Sequence, residues 1–385
     1  MNVGIYIHIP FCKSRCIYCG FYSTTHEGLK SRYVDALIGE IAMRKDEFSR
    51  LGTPLSHATT NTIYFGGGTP STLSPCDIER IVCALTETFG GTPKEITLEM
   101  NPDDVTHDYI KAVKRIGINR VSLGIQSFDD ARLRLIHRRH NASQAEMAVR
   151  TIREEGIHNV SIDLMFGFPG QTLKEWTADI DSATALNPTH ISAYSLMYEE
   201  GTPLFRMLQR GEVSQTDDET SLAMYSTLID LLTAKGYEHY EISNFALPGY
   251  RSIHNSSYWQ DTPYLGFGAA AHSYNLSTRS WNIADLKKYI KSIEGGVLPS
   301  EAETIDADTH YNDLITTALR TREGLDLTIL QPPYSEFALE NAKKSIEGGL
   351  IEVDDNHLRL TRKGLFVSDM VMSELIKIDY DRTRI

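Results

Sequence analysis

Phe11-Cys12-Lys13-Ser14-Arg15-Cys16-Ile17-Tyr18-Cys19 places three thiols within eight residues at the spacing C-x3-C-x2-C. The stretch follows directly on Ile5-Tyr6-Ile7-His8-Ile9, a β-branched run that reads as a strand. Three close cysteines on one strand-end loop suit three irons of a cubane [4Fe–4S] cluster and leave the fourth iron open to an outside ligand. Zinc is the rival occupant, although a structural zinc site takes four protein ligands. The other two of the five cysteines, Cys76 and Cys83, stand apart and are read as unligated. Five unevenly placed thiols do not make a disulfide framework.

Outward from this loop the chain alternates short β-branched runs with helix-length amphipathic segments. Strands are expected near 5–9, 62–65, 95–100, 120–125, 160–165 and 190–196. Helices are expected around 32–48, 75–89, 105–116, 143–155, 173–185 and 217–235. Such βα alternation predicts a parallel sheet covered by helices. Six units rather than eight predict an incomplete (β/α) barrel, and an open doubly wound sheet fits the same string. In both architectures functional loops gather at the C-terminal ends of the strands. The unusual residues fall there: the cysteines, then Gly66-Gly67-Gly68-Thr69-Pro70, Asn101-Pro102 and Gly167-Phe168-Pro169-Gly170.

The rest of the chain sets the domain plan. Residues 1–236 hold the barrel. Residues 237–298 form a connecting segment, rich in aromatics, Gly and His over 237–281 and without a clear period. Residues 299–385 return to ordinary helices, near 306–322 and 336–348, followed by two short strand-like runs, 349–353 and 358–360. Two helices and a β-wing suggest a winged-helix-like module. The 385 residues carry 51 acidic and 38 basic side chains, a formal charge of −13. That balance gives no general attraction to nucleic acid or anionic lipid. No apolar run approaches the roughly 18 residues of a membrane span, and the N-terminus lacks the basic start of a signal peptide. A cytoplasmic protein without transmembrane segments is expected, with membrane contact at most peripheral.

The cysteine triad after the first strand, with Gly66-Gly67-Gly68-Thr69-Pro70 after the second, resembles the radical S-adenosylmethionine (SAM) superfamily. Tyr6-Ile7-His8-Ile9-Pro10-Phe11-Cys12, Gly124-Ile125-Gln126-Ser127-Phe128 and Ile162-Asp163-Leu164-Met165-Phe166-Gly167-Phe168-Pro169-Gly170 are similar to its coproporphyrinogen III dehydrogenase group. The resemblance implies a cluster on Cys12, Cys16 and Cys19 with SAM on the open iron. It also implies SAM contacts from Tyr6, Gly67, Gly68, Thr69, Glu99, Gln126, Arg138 and Asp163. Glu99 and Asp163 lie in apolar strands, where an unpaired carboxylate is costly, so each is expected to meet a ligand or a cation.

Two departures separate the chain from the dehydrogenases. Phe21 stands where they carry a fourth cysteine, and the triad begins at residue 12 where they carry a longer arm before it. In addition, His254-Asn255-Ser256-Ser257-Tyr258-Trp259 resembles the H-N-x-x-Y-W motif of the haem chaperones of the HemW type. A neutral imidazole is a good axial ligand for haem iron, and Tyr258 and Trp259 can cover an apolar macrocycle. The resemblance implies a haem chaperone that passes haem, its cargo, to an acceptor protein. Two alternatives stay open: a radical SAM enzyme acting on a porphyrinogen by oxidative decarboxylation, and a cluster protein with a structural or assembly role.

Overall fold

The computed structural model describes residues 2–47 and 58–378. Six strands, β1 (Asn2–Ile9), β2 (Thr59–Gly67), β3 (Glu95–Met100), β4 (Arg120–Gln126), β5 (Asn159–Phe166) and β6 (His190–Ser195), pair in chain order, each parallel to the next. The helices between them are α1 (Lys30–Met43), α2 (Pro75–Phe89), α3 (His107–Ile116), α4 (Asp130–Leu135), α5 (Ala142–Glu154) and α6 (Leu173–Ala185). Local chemistry starts several of them. Ser74 accepts from the Asp77 amide with Pro75 in the first turn, and Thr172 with Glu175 closes a capping box. α7 (Pro203–Gln209) and α8 (Asp218–Ala234) follow β6.

The alternation along the strands separates two environments. Ile63 and Phe65, Ile96 and Leu98, Val121 and Leu123, Ile162 and Leu164 are buried in the main core beneath the helices. Their neighbours Thr62, Tyr64, Glu99, Ser122, Asp163 and His190 take the other face, which is lined with polar groups. Apolar out and polar in is what a barrel with a working interior requires, because successive strand side chains point to opposite faces.

The expected irregular connection over 237–281 is instead woven into the sheet. β7 (Glu238–Glu241) and β8 (Asn244–Ala246) add antiparallel strands beyond β6. At the other edge β9 (Tyr264–Phe267) pairs parallel to β1, and β10 (His272–Tyr274), β11 (Thr278–Asn282) and β12 (Ser300–Thr304) continue it antiparallel. Among the described residues the sheet therefore has twelve strands in the order β12-β11-β10-β9-β1-β2-β3-β4-β5-β6-β8-β7, an open barrel rather than a closed one. Between β8 and β9 runs α9 (Ile253–Trp259), and α10 (Leu286–Glu294) follows β11.

A buried carboxylate ties this extension to the first helix. Glu40 accepts hydrogen bonds from Arg44, the Gly268 amide, Asn282 and the Tyr289 hydroxyl, at 2.5–3.0 Å. Glu40→Gln replaces one acceptor oxygen with a donor facing donors. The variant should lose about 2 kcal/mol of stability in urea melts, the cost of a broken charge-assisted bond.

The C-terminal module has its own small core around Tyr311, Leu319, Leu325, Leu358 and Leu375. Three antiparallel strands, β13 (Leu325–Asp326), β14 (Ile351–Asp354) and β15 (His357–Leu360), pack with α11 (Ala307–Ala318), α12 (Tyr334–Glu347), α13 (Arg362–Leu365) and α14 (Ser368–Leu375). The module is mainly helical with a small three-stranded wing, and it starts after β12 rather than at the expected residue 299, because Ser300–Thr304 pair with β11 in the large sheet.

Candidate functional site

The cysteine loop is closed at its neck, where Phe11 bridges Thr24, the Cys12 amide donates to the Thr24 carbonyl at 2.9 Å and the Thr24 amide to Pro10 at 2.7 Å. Between Cys16 and Cys19 the loop is pinned by Ile17, which is buried in a small cluster with Phe168, Leu196 and Leu204. The glycine loop after β2 zips against it: the Gly68 amide donates to the Ile9 carbonyl and the Thr69 amide to the Phe11 carbonyl, both at 2.8 Å. Glycine is required by this approach. A Cβ on Gly68 would lie 2.9 Å from the Cys12 sulfur and from backbone atoms of Pro10 and Phe11. Gly67 has φ +110° and its Cβ would meet the His8 ring at 2.7 Å.

The three thiols are free and line one cavity of about 420 Å³ at the C-terminal mouth of the strands. Among the described residues no three His, Cys, Asp or Glu side chains are drawn together tightly enough to grip a single ion. The three thiols are close enough to act on one another electrostatically, and three cysteines facing one cavity suit a cubane, in which each takes its own iron, while a structural zinc site takes four protein ligands. Burial pushes the Cys12 and Cys19 thiols up, so the thiolate form there needs a metal partner. Thr69 Oγ1 stands 3.5 Å from the Cys12 sulfur and Arg138 Nη1 3.6 Å from that of Cys16.

Gly67, Gly68, Thr69, Glu99, Gln126, Arg138 and Asp163, named from the sequence as SAM-contacting positions, all line this same cavity. Glu99 accepts from the Tyr64 hydroxyl at 2.7 Å, and burial pushes its carboxyl up to about 7. Asp163 accepts from Ser122 at 3.1 Å and is likewise raised by burial. Gln126 sits at a bulge at the end of β4 with φ 73°, the left-handed region a side chain seldom adopts. Arg138 turns inward, donating to Asn101 at 2.6 Å and to the Gly124 carbonyl. Tyr6 lies deeper: its hydroxyl is 3.2 Å from His8 Nδ1 and its ring stacks on Tyr64, away from the cavity lining. Sequence reasoning passed over Asn101 and Tyr64 as site residues. Asn101-Pro102, at a strand end, is a legible signal for the first; an inward tyrosine in an apolar run gives none for the second.

Cys76 and Cys83 are exposed free thiols on α2. Phe21 is 71% exposed at the cavity mouth.

The His254-Asn255-Ser256-Ser257-Tyr258-Trp259 segment is placed at the other end of the barrel, forming α9 across its floor. Glu95 of β3 accepts from the Ile253 and His254 amides at 3.0 Å. Buried His254 lies 2.8 Å from Thr62 Oγ1 through Nδ1 and 2.9 Å from the Tyr258 hydroxyl through Nε2. One ring nitrogen donates and the other accepts. Burial pushes its pKa down to about 3, so the imidazole is neutral at neutral pH. Trp259 packs against the Arg320 guanidinium at 5.0 Å, and its indole nitrogen is buried without a partner. From Thr62 to Gly67 the strand spans about 16 Å, which separates this floor from the cysteine cavity.

The chain matches the radical SAM superfamily over residues 6–183 and the HemN C-terminal domain over 305–367. It is 32% identical over 380 residues to heme chaperone HemW of Bacillus subtilis (strain 168), covering 96% of this chain and 98% of that protein. Heme chaperone HemW of Mycobacterium tuberculosis (strain ATCC 25618 / H37Rv) is also 32% identical, over 375 residues, 97% of this chain and 94% of that one. Radical S-adenosyl methionine domain-containing protein 1, mitochondrial, of Bos taurus is 30% identical over 97% of this chain and 87% of its own length. Among solved structures, coproporphyrinogen III oxidase (HemN) from Escherichia coli superposes with a TM-score of 0.83 at 24% identity, covering 98% of this chain and 90% of that one, which establishes the common fold. The cysteine loop, the glycine loop and the C-terminal module thus sit in a likeness that runs the length of the chain, and the protein belongs to the radical SAM superfamily, in the family of the HemW proteins.

Proposed function

We propose that this protein is a haem chaperone that binds haem and transfers it to an acceptor protein. The single observation behind this reading is the relationship to proteins named heme chaperone HemW along nearly the whole chain. Cys12, Cys16 and Cys19 hold a [4Fe–4S] cluster, and the cavity beside them takes SAM. A cluster held by these cysteines would supply one-electron chemistry and a place for SAM to bind beside it. The chain's own residues do the rest. Gly67, Gly68 and Thr69 present backbone to the ligand, while Glu99, Gln126, Arg138 and Asp163 offer acceptors and a cation around the cavity; Tyr6 supports them through Tyr64.

Haem is bound through His254, Tyr258 and Trp259. The neutral imidazole has the right protonation for iron, since only an unprotonated nitrogen can coordinate. In the closed arrangement both ring nitrogens are engaged, by Thr62 and Tyr258, so ligation requires one of these hydroxyls to yield. Among the described residues no helix is long and apolar enough to cross a membrane, so transfer to a membrane-bound acceptor would take place at the surface.

An anaerobic haem titration of cluster-reconstituted protein tests this reading. Saturable one-to-one binding is expected, weakened about ten-fold or more in His254→Ala, which corresponds to about 1.4 kcal/mol. Equal binding by both proteins would remove His254 from the site. Cys16→Ala protein should fail to assemble a cubane with a SAM-responsive absorbance spectrum.

The second reading, an enzyme that cleaves SAM and oxidises a tetrapyrrole, is favoured by the full set of polar groups in the cysteine cavity. SAM- and reductant-dependent formation of 5′-deoxyadenosine together with protoporphyrinogen would establish it. Phe21 in place of a fourth cysteine weighs against it.

A further inference from the structure

We infer that Tyr64 couples the cysteine cavity to the floor helix, so that occupancy of the cavity by SAM raises the affinity of the His254 segment for haem. The inference rests on the haem reading above and adds its regulation.

Tyr64 on β2 touches His254 directly and reaches the cavity through Glu99. Its ring stacks on the His254 ring, with centroids 5.0 Å apart and planes at 25°. Its hydroxyl donates to Glu99 Oε1 at 2.7 Å, and Glu99 lines the cysteine cavity. Tyr6 also stacks on Tyr64, at 6.2 Å and 24°, so the three rings form a contiguous chain of contacts in the barrel interior. Gly66 leaves room for these contacts: a Cβ there would stand 3.0 Å from both tyrosine rings and 3.2 Å from Glu99 Oε1.

At the other end of these contacts lies α9. α9 is held down by Glu95 on its first amides, Thr62 on His254 Nδ1, the Tyr64 ring against the imidazole, Tyr258 on Tyr264 and Trp259 on Arg320. Haem iron can reach an imidazole nitrogen only after Thr62 or Tyr258 lets go. Any attachment that keeps α9 down therefore opposes haem. Glu99 has only its two oxygens, one of them holding Tyr64, and it also accepts from the Gly67 amide. A ligand donor placed on Glu99 Oε1 shares that oxygen with the Tyr64 hydroxyl and weakens its bond. Releasing the hydroxyl frees the ring to shift, loosens the floor and favours the haem-competent arrangement. A ligand shifts an equilibrium only by its differential affinity for the two states, and here the difference lies in the Tyr64–Glu99 bond.

The experiment measures the haem dissociation constant of cluster-reconstituted protein with and without SAM, in wild type, Tyr64→Phe and Thr62→Val. In wild type SAM should tighten haem about five-fold or more, and haem should tighten SAM by the same factor. Tyr64→Phe keeps the ring and its packing but removes the bond to Glu99, so the ratio should fall to one. Thr62→Val loosens the floor without touching Glu99; it should change haem affinity itself and keep the SAM ratio. A purely structural role for Tyr64 predicts that the two variants behave alike. A wild-type ratio of one, or an undiminished ratio in Tyr64→Phe, overturns the coupling. Failure of the haem reading is seen separately, in the absence of SAM, as no haem binding by wild type or undiminished binding by His254→Ala.

Discussion

Gly68→Ala is expected to fold and yet to assemble little or no cubane cluster. The added methyl would stand 2.9 Å from the Cys12 sulfur and equally close to backbone atoms of Pro10 and Phe11. Real Cβ atoms do not tolerate that distance, and backbone cannot swing aside as a flexible side chain does. The cysteine loop must therefore move off the glycine loop, breaking the amide bonds from Gly68 to Ile9 and from Thr69 to Phe11. Overpacking of this kind costs about 1–3 kcal/mol locally, well within the stability of a domain. The cost falls on the one loop that must present three thiols to one cluster. Gly28→Ala is the control, since nothing lies within 4 Å of its Cβ position. The measurement is iron and acid-labile sulfide per chain after anaerobic reconstitution. A full complement in Gly68→Ala would mean that the two loops are not held as closely as the contact requires.

The second large effect concerns Glu99. Burial raises its carboxyl from the ordinary 4.5 to about 7. A folded pKa above the unfolded one means that the native state binds the proton more tightly. Its favourable contribution is complete below pH 4.5 and is lost as pH rises through about 7. At pH 8 the ligand-free protein carries the full penalty of a buried carboxylate, up to about 3 kcal/mol. Glu99→Gln is neutral at every pH and keeps an oxygen for Tyr64. It should be more stable than wild type by up to that amount at pH 8, with the gain shrinking to nothing near pH 4.5. Urea melts at the two pH values decide it; a difference independent of pH would show that Glu99 is not a strained charge. The strain suits a site that waits for a ligand, because a buried carboxylate gains from any cation or stronger donor brought to it.

The sequence was legible wherever a period or a special residue marked the backbone. β3 and the helices α2 and α6 run over the expected residues, since apolar faces and caps set their limits. The cysteines and the glycine loop could be placed because strand-end loops of a parallel sheet must meet on one side. β9 escaped notice, for four residues, Tyr264–Phe267, are too few to show a period, and its partner β1 is remote in sequence. The haem motif was named from the sequence, but its place in the fold was not legible. Its residue types suggested a porphyrin surface, but helix spacing alone does not reveal that His254 faces the barrel floor and Trp259 faces Arg320. Tyr64 reads as core from the sequence, and only the geometry shows its hydroxyl on Glu99.

The parallel pairing of β9 with β1 has a consequence for synthesis. The outer edge of Gly4–Ile7 finds its partner only when Tyr264–Phe267 have been made. At ordinary elongation speed that edge stays unpaired on the ribosome for roughly 10–50 s. Bare strand edges are templates for aggregation, and closing so long a loop is slow. The cysteine loop lies immediately downstream of that edge, so a nascent chain exposes reactive thiols and a sticky strand together. Any fragment ending before residue 264 would keep both exposed for good.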